Sequence, residues 1–141
     1  MKKVLILILS VVVMAGSLWA DNRKQIKRDQ LPKAAQHYVM NNWNNVAISY
    51  CWQEIDGYKI EYTVRLVDGT TIEFNRDGGW KEVESSVAIP ESAIPAAIRT
   101  YVKQNHRGAA ILKMEKDTRG YEIELDNEKE LQFDKKGNFL R

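Results

Sequence analysis

Two stretches of alternating residues limit what this chain can fold into. From Gly57 to Glu84 it reads GYKIEYTVRLVDGTTIEFNRDGGWKEVE, and from Gly120 to Arg141 it reads GYEIELDNEKELQFDKKGNFLR. Successive side chains of a strand point to opposite faces, so Tyr58, Ile60, Tyr62, Val64 and Leu66 share one side while Lys59, Glu61, Thr63 and Arg65 share the other. Asp56-Gly57, Asp68-Gly69 and Asp77-Gly78-Gly79 interrupt the alternation with residues suited to tight hairpin turns. Ile72 and Phe74 then return on the apolar side, and a short strand from Trp80 to Glu84 follows. Each stretch is an antiparallel meander whose apolar face needs a second layer to cover it.

That layer is supplied from upstream. Leu31-Pro32 opens a helix, since proline is pre-organised for a helix start and its missing N–H is not needed there. Leu31, Ala35, Tyr38, Val39 and Asn42 fall on one helical face as far as about Trp43, after which asparagines break the pattern. Val46 to Ile55, rich in β-branched and aromatic residues, reads as the first strand of the meander.

The pattern then restarts. A shift of 63 residues places Leu31-Pro32 on Ile94-Pro95, Tyr38 on Tyr101, Val39 on Val102, Gly57-Tyr58 on Gly120-Tyr121, Ile60 on Ile123 and Glu61 on Glu124. After a four-residue deletion in the hairpin the shift becomes 59, and Phe74 meets Phe133, Gly78 meets Gly137 and Trp80 meets Phe139. Matches this dense at one offset predict a duplication. The expected fold is α+β in two layers: a tandem repeat of a helix plus a four-stranded antiparallel β-meander, with both helices on one face of the sheet.

The N-terminus has a different character. Residues 1–20, MKKVLILILSVVVMAGSLWA, combine two lysines, an apolar run from Val4 to Val13 and a small-residue end, the layout of a secretory signal peptide rather than a membrane span. Residues 21–30 are polar and without periodicity, which predicts a flexible leader. Residues 31–141 then form one domain of two repeats, 31–84 and 94–141. Without the signal peptide the chain carries 19 basic and 19 acidic residues, so it has no electrostatic footprint for nucleic acid or an anionic membrane. No integral membrane segment is expected after cleavage. Cys51 is the single cysteine, so no internal disulfide can form, and it reads as a small buried hydrophobe.

The apolar-Pro helix starts, the Gly-Tyr-(Lys/Glu)-Ile-Glu strands and the Phe-(Asn/Asp)-(Arg/Lys)-x-Gly-x-(Trp/Phe) endings resemble the PepSY-like family of small exported bacterial proteins, whose fold is similar to that of β-lactamase inhibitory protein. The resemblance spans about residues 31 to 141. It implies a periplasmic or secreted protein of tandem subdomains that binds or inhibits a partner. Family members often carry a Phe-Pro pair just after the helix, where this chain has Trp43-Asn44 and His106-Arg107.

The duplication also sorts one sheet face from the other. Cys51 aligns with Met114, whereas Tyr50 aligns with Lys113 and Trp52 with Glu115. Charged residues in the second copy place Tyr50 and Trp52 on the outward side in the first, with Lys59, Glu61, Arg65 and Glu73. Aromatic and arginine side chains among mixed charges have the composition of a contact surface, so these six residues are the candidate partner-binding set. The competing reading makes Tyr50 and Trp52 ordinary core.

Other chemistry lacks an anchor. His37 and His106 have no companions at metal-ligand spacing, and no cofactor is expected. The carboxylate pairs Glu61/Glu73 and Glu122/Glu124 read as a solvated sheet face rather than a hydrolase pair. The expected function is a non-enzymatic exported binding module, an inhibitor or regulator of another envelope or secreted protein. A cell-wall glycan or small-ligand binder that stacks sugars on the same aromatics is the alternative.

Overall fold

The computed structural model describes residues 22–141. The signal-peptide assignment therefore falls outside the described residues. Eight strands form one antiparallel sheet in chain order: β1 (Arg23–Ile26), β2 (Ile48–Asp56), β3 (Lys59–Leu66), β4 (Thr71–Phe74), β5 (Trp80–Glu84), β6 (Ile111–Lys116), β7 (Gly120–Leu125) and β8 (Glu130–Asp134). Helix α1 (Lys33–Asn42) precedes β2, and α2 (Ala96–Asn105) precedes β6. Among the described residues no helix is long and apolar enough to cross a membrane.

The register puts one apolar residue of every strand on a single line. Ile26 opposes Cys51, Cys51 opposes Val64, Val64 opposes Ile72, and the line continues through Val83, Met114 and Ile123 to Leu131. All eight are buried, and Ala35 and Val39 of α1 and Ile98 and Val102 of α2 join the same buried cluster. Each large aliphatic side chain so covered contributes about 1.5–3 kcal/mol.

Aromatic rings fasten the helices to the strands in the same way twice. Tyr38 meets Phe74 edge-on at 6.0 Å and stacks on Trp80 at 6.4 Å; Tyr101 meets Phe133 edge-on at 5.5 Å and stacks on Phe139 at 4.3 Å. Backbone bonds recur likewise. Trp43 N donates to Val39 O and His106 N to Val102 O, while Asn75 N donates to Gly79 O and Asp134 N to Asn138 O. Gly78 and Gly137 sit in these turns at positive φ, and an added Cβ would reach within 2.9 Å of Ala35 N or 2.7 Å of Ala97 Cβ. Glycine is required there twice over, for the backbone and for the close approach to a helix.

Three features depart from the sequence-based expectation. The composition of residues 21–30 predicts a flexible leader, yet Arg23–Ile26 forms β1 against β2 and Ile26 is buried, followed by a single 3-10 turn at Arg28–Gln30. One buried isoleucine and a ladder of backbone bonds outweigh the polar composition around them. The connector Ile89 to Ala93 explains why: Ile89 is buried, and a 3-10 turn at Glu91–Ala93 leads into α2, each 63 residues on from Ile26 and its turn.

The second difference is the site of the four-residue deletion. Cys51 pairs with Val64 but Met114 pairs with Ile123, so the first half is four residues longer at the β2–β3 tip. Val64, not Ile60, stands where Ile123 stands. Gly57 occupies an open turn with nothing within 4 Å, whereas Gly120 lies in β7 with its Cβ position 2.1 Å from Phe133 O, so the two glycines answer different needs. The protruding tip leaves Tyr58 93% exposed and Ile55 45% exposed. Third, the second meander has three named strands; its expected fourth is reduced to a bridge between Phe133 and Phe139 and to bonds between Gln132 and the last two residues.

Because Ile26 seals the β1 end of the core, Ile26→Ala is expected to cost about 2 kcal/mol or more in denaturant unfolding. A change within experimental error would return residues 21–30 to the status of a loose leader.

Candidate functional site

The strand alternation that aligns the core row also composes the opposite face. One line there runs Gln25, Trp52, Thr63, Glu73, Glu82, Glu115, Glu122 and Gln132, each opposite the next. A parallel line runs Tyr50, Arg65, Thr71, Glu84, Lys113, Glu124 and Glu130. None of these side chains is fully buried.

All six candidate residues lie on this face. Tyr50 and Trp52 are half-buried, their rings edge-on at 5.1 Å, on the side of β2 opposite the buried Cys51. Trp52 is covered in part by the Arg23 guanidinium, 4.6 Å from its ring centre, and its indole N–H is shielded from solvent without an acceptor. Arg65 lies opposite Tyr50 and donates to Thr71 Oγ1 at 2.9 Å. Glu61 is held by Lys81 and lies 3.7 Å from Lys59. Lys59 itself sits at the β2–β3 tip, away from the aromatic pair.

Glu61 and Glu73 do not form a pair. The carboxyl beside Glu73 is Glu82, directly opposite on β5 beside a bulge, and the two share a hydrogen bond. That bond, with burial and the charges of Glu82, Glu54 and Glu115, pushes Glu73 up to about 7. Burial works on Glu82 in the same direction, but the bond from Glu73 and the nearby Lys113 and Lys81 leave it below the usual range. Lys113 lies 3.3 Å from Glu82, 3.8 Å from Glu84 and 3.1 Å from Glu115. Burial opposes its charge, yet hydrogen bonds and charges from Glu115 and Glu82 raise it above the ordinary lysine range. Burial also raises Glu122, helped by Glu115 and Glu130.

Sequence reading set Lys113 and Glu115 on the outward side but did not join them to Glu82 and Glu84 as one cluster. Their alternation with Val83 and Met114 is plain, but β5 and β6 become neighbours only when the two meanders join, and that joint brings the acidic residues of both into one strip. His37 is exposed on α1, and burial raises the Cys51 thiol against an opposing effect of Arg28. Among the described residues no group of three His, Cys, Asp or Glu side chains is placed to hold a metal ion. A shallow depression of about 440 Å³ at the β7–β8 end is lined by Glu115, Asp117, Arg119, Glu122, Gln132 and Arg141 among others.

With this geometry the chain can be placed. Residues 16–63 and 60–141 match the family model described as "Putative beta-lactamase-inhibitor-like, PepSY-like", and the chain belongs to that PepSY-like family. A "putative calcium-regulated periplasmic protein" from Bacteroides thetaiotaomicron is 35% identical, with a TM-score of 0.81 over 86% of this chain and 97% of that one. Two periplasmic proteins from Bacteroides vulgatus are each 33% identical. One, of the DUF2874 family, has a TM-score of 0.80 over 86% of this chain and 97% of its own; the other has 0.77 over 84% and 97%. The search of curated proteins returned no match. The protein is accordingly a periplasmic one, of a family described as inhibitor-like.

The raised Glu73 carboxyl has a signed consequence. Between the ordinary glutamate value of 4.5 and about 7 the folded state binds more protons at this residue than the unfolded chain, so its contribution to stability falls as pH rises through that window. Melting curves across this range should show the wild type losing stability relative to Glu73→Gln as the pH increases. Parallel curves would remove the shared proton.

Proposed function

We propose that the chain is a non-enzymatic exported binding module that regulates or inhibits another envelope or secreted protein through the sheet face opposite the core row. The observation that carries this reading is the half-buried Tyr50–Trp52 pair beside Arg65, on a face that no core row claims. Rigid aromatic rings and an arginine supply large contact area at low entropic cost, which is the usual make-up of an interface centre. The family's inhibitor-like description supports the same reading. We also infer that the chain is a tandem duplication with both helices on the core-row side; the repeated ring contacts and repeated backbone bonds support it.

The glycan reading draws on the same two aromatics. Sugar stacking needs an open ring face, and Arg23 already occupies one face of Trp52. That favours a protein partner over a glycan.

The test is crosslinking capture from the envelope fraction with the wild type and with Tyr50→Ser/Trp52→Ser. Both residues lie off the core row, so the double variant is expected to fold, as checked by its melting. Loss of two interface aromatics should weaken capture by about 2 kcal/mol or more per anchor, over a hundredfold together. A partner retained equally by the folded double variant would contradict the proposal. In parallel, cell-wall fragments are expected to leave the tryptophan fluorescence unchanged.

A further inference from the structure

The half of the open face farthest from the aromatics is built against its own stability. Glu73, Glu82, Glu115 and Glu122 stand directly opposite one another on four consecutive strands, and Glu84 and Glu124 flank them on the next line. Like charges opposed across strands are unfavourable, and each could be exchanged for threonine or lysine without touching the core. Among the described residues, the ion pairs made to this strip all come from Lys113, which reaches Glu82, Glu84 and Glu115. The cations at its outer end are engaged elsewhere: Arg119 with Asp117 at 3.3 Å, and Arg141 with the Gln132 side chain at 2.8 Å. Cations at the other end are also engaged, Lys81 and Lys59 with Glu61 and Arg23 with Glu54.

We propose that this strip docks a lysine- or arginine-rich segment of the partner protein, with Tyr50 and Trp52 gripping an adjoining part. Charge complementarity selects that occupant. A basic segment laid across β4 to β7 would meet a row of carboxylates spaced by the strand separation, roughly 4.8 Å apart. It would relieve the repulsion that the free protein tolerates, which is how a local violation of packing rules comes to mark a functional surface. The inference rests on the binding-module reading and adds to it the chemistry of the partner.

The probe is a synthetic peptide of alternating lysine and serine, with an alternating glutamate and serine peptide as its counterpart. Each is titrated against the protein at low and at physiological ionic strength. Two variants that each lose two carboxylates are compared, Glu122→Gln/Glu124→Gln on the strip and Glu91→Gln/Asp126→Asn off it. The strip variant is expected to bind the lysine peptide about tenfold or more weakly, and the off-strip variant within about twofold of the wild type. Removing opposed charges should leave the melting temperature of the strip variant unchanged or raised, so the loss cannot be unfolding.

Equal weakening of both variants, or equal binding of the glutamate peptide, would overturn the proposal. Calcium alone raising the melting temperature of the wild type but not of the strip variant, with no binding of the lysine peptide, would also overturn it in favour of an inorganic cation. The two proposals fail separately. If envelope capture finds no partner while the strip variant loses the lysine peptide, the partner reading falls and the cationic site stands. If a partner is captured and the strip variant retains it in full, the cationic site falls and the partner reading stands.

Discussion

The structure depends on one line of side chains, Ile26, Cys51, Val64, Ile72, Val83, Met114, Ile123 and Leu131, each opposite the next across eight strands. A one-residue slip in any strand would turn its apolar residue to the other face, so burial of this line fixes the register of the entire sheet. Two ten-residue helices, too short to be stable alone, gain their order by packing Ala35, Val39, Ile98 and Val102 into the same cluster. The joint between β5 and β6 extends the line from one half to the other, with Val83 opposite Met114. A core shared in this way needs no disulfide.

The same register dictates the opposite face, residue by residue. Placing Cys51 inward sets Tyr50 and Trp52 outward, and placing Val83 and Met114 inward sets Glu82 and Glu115 opposite each other. The aromatic end and the acidic end therefore belong to one continuous surface. Glu73 and Glu82 show what closeness costs, since one carboxyl holds its proton up to about 7 so that the other can stay charged. A sheet free of other demands would place opposite charges there.

Much of this was legible in the chain itself. Period-two alternation located the strands, the Leu31-Pro32 and Ile94-Pro95 pairs located the helix starts, and the outward side of Tyr50 and Trp52 followed from Lys113 and Glu115 in the second half. Order in residues 23–26 was hidden because its single apolar residue, Ile26, has no local periodicity; its counterpart Ile89 in the second half was the available signal. The deletion was misplaced because Gly57-Tyr58 and Gly120-Tyr121 look alike, although one pair forms a turn and the other opens a strand. The acidic strip required knowing that β5 pairs with β6, a contact between the two halves that no short-range pattern encodes.

The most direct test of the open face as the working surface is amide chemical-shift mapping of the protein with its captured partner. The account predicts perturbations at Tyr50, Trp52, Arg65, Glu73 and Glu122, and little change at Ala35, Ile98 and the other helical core positions. Perturbations confined to α1, α2 and the connector between the halves, with β2 to β7 silent, would contradict it.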